Sequence, residues 1–598
     1  MAAPAGSNMS TTADTLALLP QFLDLLRSTS PPPIPSETLL GAITHFLARL
    51  DSPHLDDFVK ALFRSPSIWN SRLLSQQEIC NAIRLSVSGR ISKISQDTND
   101  VYFADSRKSR RAKHWLSTVL KHTDESHDTA HRLIFHIGLL QGIDDVEDLD
   151  WGKGRVKLEE EIVMAVGTPA GSLGHPVNQE MTLSSVLPLI ATERLQVLDM
   201  ESMACRIESH LFNQDPDSAQ NRTLDTARAL ARTFEVMSFG GPTTQANARK
   251  RMIGFCQRAQ ARAAEMGGEW ELRADSEQRK DVSFEKHTTT LNSLLTTVST
   301  MVDILLSSNR AAGILQPSTS DVAVHTLLLL GSFAYLTDAN DGAFENYHKV
   351  LYGSLDMISS SKDNESVRTL FTHLAAKGRL TEARAAFVLV LGDELINHLG
   401  KKEIDLLFPL AERHVYRPKH KASFEASHAF LLSLIKASAD SLEKDDSQAA
   451  FFDAILPDYL NILAKQYAQN DINSEQFRQA FPILVEASSK RSSQAVQSCM
   501  TYLSTLPVDK EIRHIRIAIA PYAESNKLPA YLEEVAEAIL STEKYSEERM
   551  DLTKDAFEMV VKGLSDANKK VGMDWWARRR GELVGGRQKD PGFVRSRL

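Results

Sequence analysis

Apolar residues along this chain recur at three- and four-residue steps instead of alternating. Leu291, Leu294, Leu295, Val298, Val302, Leu305 and Leu306 fall at i, i+3, i+4, i+7 spacing and predict one stripe of an α-helix. Leu528, Tyr531, Leu532, Val535, Ala538 and Ile539 repeat the pattern, with Pro529 in the first turn, where a missing N–H costs least. Leu16, Leu19, Phe22, Leu23 and Leu26 predict a short amphipathic segment near the N-terminus. The proline-rich run Ser28 to Ser36 that follows has the composition of a linker.

Further breaks fall at Gly167 to Pro176, Gly240-Gly241-Pro242, Ser307 to Asp321, Ser359 to Ser366 and Ser441 to Ser447. Polar start signals precede the apolar runs at Ser36-Glu37-Thr38 and Ser320-Asp321. Leu374-Ala-Ala-Lys-Gly378-Arg-Leu380-Thr-Glu-Ala383 reads as helix, glycine turn, helix, in the manner of a tetratricopeptide hairpin, but no strict 34-residue period accompanies it. The expected fold is therefore all-α: an irregular helical repeat, α-solenoid-like, with a flexible C-terminal tail. The expected organisation is an N-terminal segment and linker over 1–36, an N-terminal helical domain over 37–320, a C-terminal helical-repeat domain over 321–580, and a tail over 581–598.

Composition agrees. The 28 glycines and 22 prolines are about 8% of the 598 residues, against an average of about 12%, so the turns that an all-β protein needs are scarce. The longest apolar run, Val322 to Leu336, is shorter than the roughly 20 residues of a spanning helix. It reads as a core helix, as does Ala385 to Leu391, and no transmembrane segment is predicted. Met1 to Thr12 lacks the basic and apolar regions of a secretory signal, and early arginines for a mitochondrial address are absent. The formal charge of −9 gives no whole-chain basic field for nucleic acid. Cys80, Cys205, Cys256 and Cys499 stand far apart without metal-ligand spacing and read as small buried hydrophobes.

Catalytic and metal patterns fail on inspection. His127-Asp128-Thr129-Ala130-His131 puts two histidines at i, i+4, but Asp128 stands where a zinc protease needs glutamate, and no third ligand follows. His122 and His136 nearby read as a polar helix surface. Ala170-Gly171-Ser172-Leu173-Gly174 lacks the first glycine of a nucleophile elbow, and Gly152-Lys153-Gly154 reads only as a turn. Arg107-Lys108-Ser-Arg110-Arg111-Ala-Lys113 reads as a solvated basic loop, and Arg249-Lys250-Arg251 with Arg258 and Arg262 as a solvated helix face. From Lys569 onward nine Lys or Arg face three carboxylates. Trp575-Trp576 before Arg578-Arg579-Arg580 fits either a membrane interface or a helix end docked on the fold.

The most specific signal is the ending Ser596-Arg597-Leu598. A small residue, a cation, an aliphatic residue and a free carboxylate together form a peroxisomal targeting tripeptide, read by a receptor pocket. Arg595 adds charge of the favoured sign, and Gly585, Gly586 and Pro591 precede it in an extended, reachable stretch.

With that tail, several internal segments resemble the fungal intraperoxisomal import peroxins, the peroxin 8 family. They are Ser67-Ile68-Trp69-Asn70, the arginine-rich run with Trp115, His131-Arg-Leu-Ile-Phe-His-Ile-Gly-Leu-Leu140, Leu187-Pro-Leu-Ile190 and Ala229 to Gly240, spanning roughly 40–340. Some members carry a second, N-terminal peroxisomal signal, which has no match here. The resemblance implies a non-enzymatic helical protein of the peroxisomal lumen, without cofactor or nucleic-acid partner, peripheral to the inner face of the membrane. It implies a scaffold in matrix-protein import that links the docking and RING complexes and engages the cargo receptor, with Ser596, Arg597 and Leu598 as the receptor-binding residues. The alternative is a peroxisomal matrix enzyme using the same address, and a third reading is a cytosolic adaptor with an accidental ending.

Overall fold

The stripes read from the sequence become the buried faces of helices. Leu291, Leu294, Leu295, Val298, Val302 and Leu305 are buried on Val282–Ala312, and Leu528, Leu532, Val535 and Ile539 are buried on Leu528–Leu540. The computed structural model describes the chain outside residues 1–7, 29–33, 70–73, 99–103, 124–127, 147–148, 168–183, 214–219, 272–281, 313–316, 340–344, 362–363, 376–379, 441–445 and 586–598. Among the described residues all regular structure is helical, so the all-α helical-repeat class holds. The chain divides into two compact units, Met1–Met357 and Ile358–Leu598.

Helices of ten residues or more are numbered in chain order. The first unit carries α1 (Asn8–Arg27), α2 (Ser36–Arg49), α3 (His54–Phe63), α4 (Gln76–Thr98), α5 (Ala104–Lys121), α6 (Thr129–Asp144), α7 (Lys153–Gly167), α8 (Met200–Asn213), α9 (Gln220–Ser238), α10 (Pro242–Glu271), α11 (Val282–Ala312), α12 (Pro317–Ser332) and α13 (Glu345–Ser361). The second carries α14 (Asn364–Ala375), α15 (Glu382–Glu394), α16 (Lys401–His414), α17 (Lys421–Asp440), α18 (Asp446–Ala468), α19 (Ser474–Arg491), α20 (Ser493–Ser504), α21 (Lys510–Ile519), α22 (Leu528–Leu540), α23 (Glu547–Glu558) and α24 (Asp566–Leu583).

In the second unit each odd-numbered helix from α15 packs on the next odd one, giving the succession α15, α17, α19, α21, α23. The even helices α16, α18 and α20 pair with their sequence neighbours, and α22 packs chiefly on α24. This i, i+2 succession is what stacked helix pairs produce when each buries its apolar face on the next. Local signals set the joints. Asn473 and Gln476 form a reciprocal capping box at the start of α19, with bonds of 2.8 and 3.0 Å. Thr381, Ser492, Asp509 and Ser546 cap α15, α20, α21 and α23.

The first unit uses the same logic in shorter runs: α2 on α4 and α4 on α6, then α9 on α11 and α10 on α12. α6 approaches α4 closely. A Cβ on Gly138 would stand 2.7 Å from the Cys80 carbonyl oxygen, and one on Gly142 would stand 2.6 Å from that of Arg84. Within α11, His287–Ser307 is long and apolar enough to cross a membrane by length and composition, with mean hydropathy 1.2. Its stripe is buried against α9, where Thr297 Oγ1 donates to the Ala227 carbonyl at 3.2 Å, as in a core helix.

Candidate functional site

In the first unit the segments singled out in the sequence pack on one another. The short helix Pro66–Trp69 ends on an indole whose Nε1–H donates to the Leu62 carbonyl at 2.9 Å. That ring stacks on His131 of α6, with centroids 4.6 Å apart and planes 17° from parallel, and on Phe63 of α3. Phe63 in turn meets Phe135 of α6 at 4.7 Å. Trp115 is fully buried on α5 and donates to the Leu47 carbonyl at 3.1 Å. Further along, Arg232 of α9 donates to the Ile190 carbonyl at 2.6 Å, joining the Leu187–Ile190 and Ala229–Gly240 segments. These residues build a core, and their chemistry is packing.

His127 lies outside the described residues, His131 is engaged with Trp69, and Asp128 is the N-cap of α6, accepting from Ala130 N–H at 2.8 Å. Among the described residues no group of three potential ligands converges.

Four expectations need correction. His122 and His136 are not on a polar surface: both are buried, His122 against Asp56 Oδ1 at 2.7 Å and His136 inside α6. The Arg107–Lys113 run is helical, forming much of α5, because Ala112, Trp115 and Leu116 give that segment a buried stripe that anchors it. Cys205 is exposed, unlike the buried Cys80, Cys256 and Cys499. Burial pushes the Cys80 and Cys256 thiols up to about 12, which leaves them unreactive. The Arg251 and Arg258 side chains are not simply solvated, since they pair with Glu201 and Glu208 of α8.

The tryptophans near the C-terminus dock on the fold. Trp575 is 1% exposed in a cluster with Leu532, Val535, Leu552 and Val560, and Trp576 packs beside Phe557. Buried Arg549 donates to the carbonyls of Glu582 and Leu583 at 2.7 and 3.1 Å, closing the end of α24. The predicted address, Ser596, Arg597 and Leu598, lies outside the described residues, as do the proline run 29–33 and the serine at 172.

Sequence reasoning missed two clefts of the second unit, one on each side of α17. The first, about 470 Å³, is lined by Phe424, Leu432, Ile472 and Ile483 together with Asp393 and Glu425. Gln476 fixes Glu425 through a 2.8 Å bond while its own oxygen accepts from Asn473 N–H. His428 on this wall bonds Tyr459 Oη at 2.7 Å, and burial pushes its pKa down to about 4, so it is neutral at pH 7. The second cleft, about 510 Å³, sets Phe408, Tyr416, Leu431 and Phe451 beside Glu412 and Asp458. No lysine or arginine lines either cleft among the described residues. Such surfaces suit apolar side chains with a neighbouring cation.

Residues 12–170 match the family model described as peroxin 8 protein-like, N-terminal domain. The chain carries a peroxin 8-like domain. That domain takes in α1 to α7, including the Trp69–His131 stack and the α4–α6 contact, and ends before Leu187–Ile190 and Ala229–Gly240. No curated protein sequence matches the chain. Among solved structures, Kap121p bound to Pho4p is 10% identical with a TM-score of 0.38, covering 96% of this chain and 57% of the other. Kap121p bound to Nup53p is 12% identical with a TM-score of 0.37, covering 97% and 56%. The Pds5–Scc1 complex gives 10% identity and a TM-score of 0.22, covering 94% and 89%. The chain thus spans a little over half the length of Kap121p.

Proposed function

We propose that the protein is a non-enzymatic factor of peroxisomal matrix-protein import that works on the lumenal side, peripheral to the membrane, and is addressed there by Ser596-Arg597-Leu598. The peroxin 8-like match over 12–170 carries this reading, and the targeting tripeptide adds an independent argument for the compartment. The protein acts by holding partners together: it engages the cargo receptor through its tail and links the docking and RING complexes through helical surfaces. The two acid-lined clefts beside α17 supply contact surface for partner segments that are apolar and basic.

The test is where an N-terminally tagged fusion goes, with and without residues 596–598, and whether a matrix marker is imported in a strain deleted for the protein. A tail-dependent peroxisomal fusion together with a cytosolic marker in the deletion strain supports the proposal. Normal marker import would overturn it in favour of a matrix enzyme. A diffuse fusion regardless of the tail would overturn the lumenal address itself.

A further inference from the structure

Helices α23 and α24 leave an apolar seam open along the line where they meet. Phe557 of α23 is 43% exposed, and its ring lies 5.1 Å from that of Trp576 on α24. Met550, two turns earlier on the same face of α23, is 61% exposed. Its neighbour Arg549 donates to the carbonyls of Glu582 and Leu583, which sets Met550 at the end of α24. Tyr545 is exposed at that same end, since a Cβ on Gly585 would stand 3.0 Å from its Cε1. Met573 and Val584 are exposed on the side of α24 opposite buried Asn568, Gly572 and Trp575. Scattered single apolar side chains are ordinary on a surface, but a contiguous row of them marks a contact site.

Charge divides across the seam. Several side chains are committed: Glu548 to Arg513, Asp555 to His514, Glu558 to Lys562 and Glu582 to Arg579, while Arg578 and Arg579 reach Glu533 of α22. The exposed charges left without an ion pair among the described residues differ in sign between the two helices. On α24, Lys569, Lys570 and Arg580 point outward with Met573, against Asp566 one turn ahead. Asp574 stands on the flank away from Trp576. On α23, Glu547 and Asp551 point outward against Lys554, and Glu543 and Lys544 offset each other beside Tyr545. A partner of one sign, such as an anionic bilayer, would be attracted by one helix and repelled by the other. A surface with the same apolar row and the same division of charge satisfies both.

We propose that this face joins two copies of the chain in an isologous dimer, with α24 of each lying on α23 of the other. A two-fold axis through the seam sets Phe557 and Met573 against their own counterparts. It also brings Lys569 and Lys570 over Glu547 and Asp551 of the partner subunit, and the reverse, so every contact is made twice. Two copies so joined carry two targeting tripeptides and two sets of clefts on one particle, which strengthens attachment to any partner that is itself multiple.

The experiment is sedimentation velocity of the full-length protein from about 0.1 to 50 μM, a span that covers micromolar association. A concentration-dependent dimer is expected. Phe557→Glu should weaken it by about thirtyfold or more, as loss of a central aromatic anchor does. Lys569→Glu/Lys570→Glu and Glu547→Lys/Asp551→Lys should each weaken it by about tenfold or more, because each sets like charges face to face. Mixing the two charge variants should restore a dimer made of one copy of each, and a chain carrying all four changes should again pair with itself. Loss of folding cannot produce that recovery, and circular dichroism checks each variant alone. A monomer at every concentration overturns the proposal, as does a dimer that the charge variants leave unchanged or that mixing fails to restore. If the monomer floats with phosphatidylserine vesicles and Phe557→Glu does not, the face belongs to lipid and the proposal falls. If only a chain lacking 586–598 dimerises, the chain's own tail is the occupant and the proposal falls as well.

Discussion

Adding one methyl group should have opposite effects at two helical glycines of the peroxin 8-like domain. In Gly142→Ala the new Cβ meets the Arg84 carbonyl oxygen at 2.6 Å and Val87 Cγ2 and Cβ at 2.6 and 2.7 Å. One of these is backbone, which no rotamer change can move aside, so α6 must back away from α4. Overpacking of this kind costs about 1–3 kcal/mol, and the better helix propensity of alanine returns about 1 kcal/mol. The net is a loss of up to about 2 kcal/mol. At Gly41 on α2, nothing lies within 4 Å of a new Cβ, so Gly41→Ala keeps the propensity gain of about 1 kcal/mol. Hydrogen exchange of peptides from 36–49, 76–98 and 129–144, read by mass spectrometry alongside urea unfolding, measures both effects locally. Faster exchange in Gly142→Ala and equal or slower exchange in Gly41→Ala is the expected outcome. If Gly142→Ala exchanges no faster than the parent, the close α4–α6 contact does not exist in solution.

Two further outcomes follow from buried polar groups. Burial, with Arg132 and Lys157 nearby, holds His136 down to about 3, and burial holds His428 down to about 4. In both cases the unfolded chain takes the proton first, so stability is full above about pH 7 and is lost as pH falls through 6.5 toward the folded value, by about 2 kcal/mol each at pH 5. His136→Gln should therefore flatten the fall in unfolding midpoint between pH 7 and 5, and an unchanged slope would rule His136 out as its source. Glu159 on α7, 3% exposed, accepts from Arg155 at 3.0 Å, Arg194 at 2.7 Å and the Ala191 N–H at 3.2 Å. Glu159→Gln should cost about 3 kcal/mol and speed exchange around residues 190–195, whereas an exchange rate equal to the parent's would show the network to be idle.

The helical class was legible because burial on one face leaves a 3.6-residue trace in the sequence, as the stripes of α11 and α22 show. The start of α15 was legible too, since Thr381 caps it through Arg384 N–H. Pro20, Pro409, Pro457 and Pro482 lie inside helices, so proline alone does not mark the joints of this chain. The buried histidines were misread because polarity was taken as exposure. His122 is buried because Asp56, sixty-six residues away in sequence, comes to meet it. Gly138 and Gly142 sat in plain view at i, i+4, yet their meaning depends on a second helix that local pattern cannot supply.

The clefts show the same limit from the side of function. Phe408, Leu431 and Phe451 belong to three different helices, and each alone reads as one more core position.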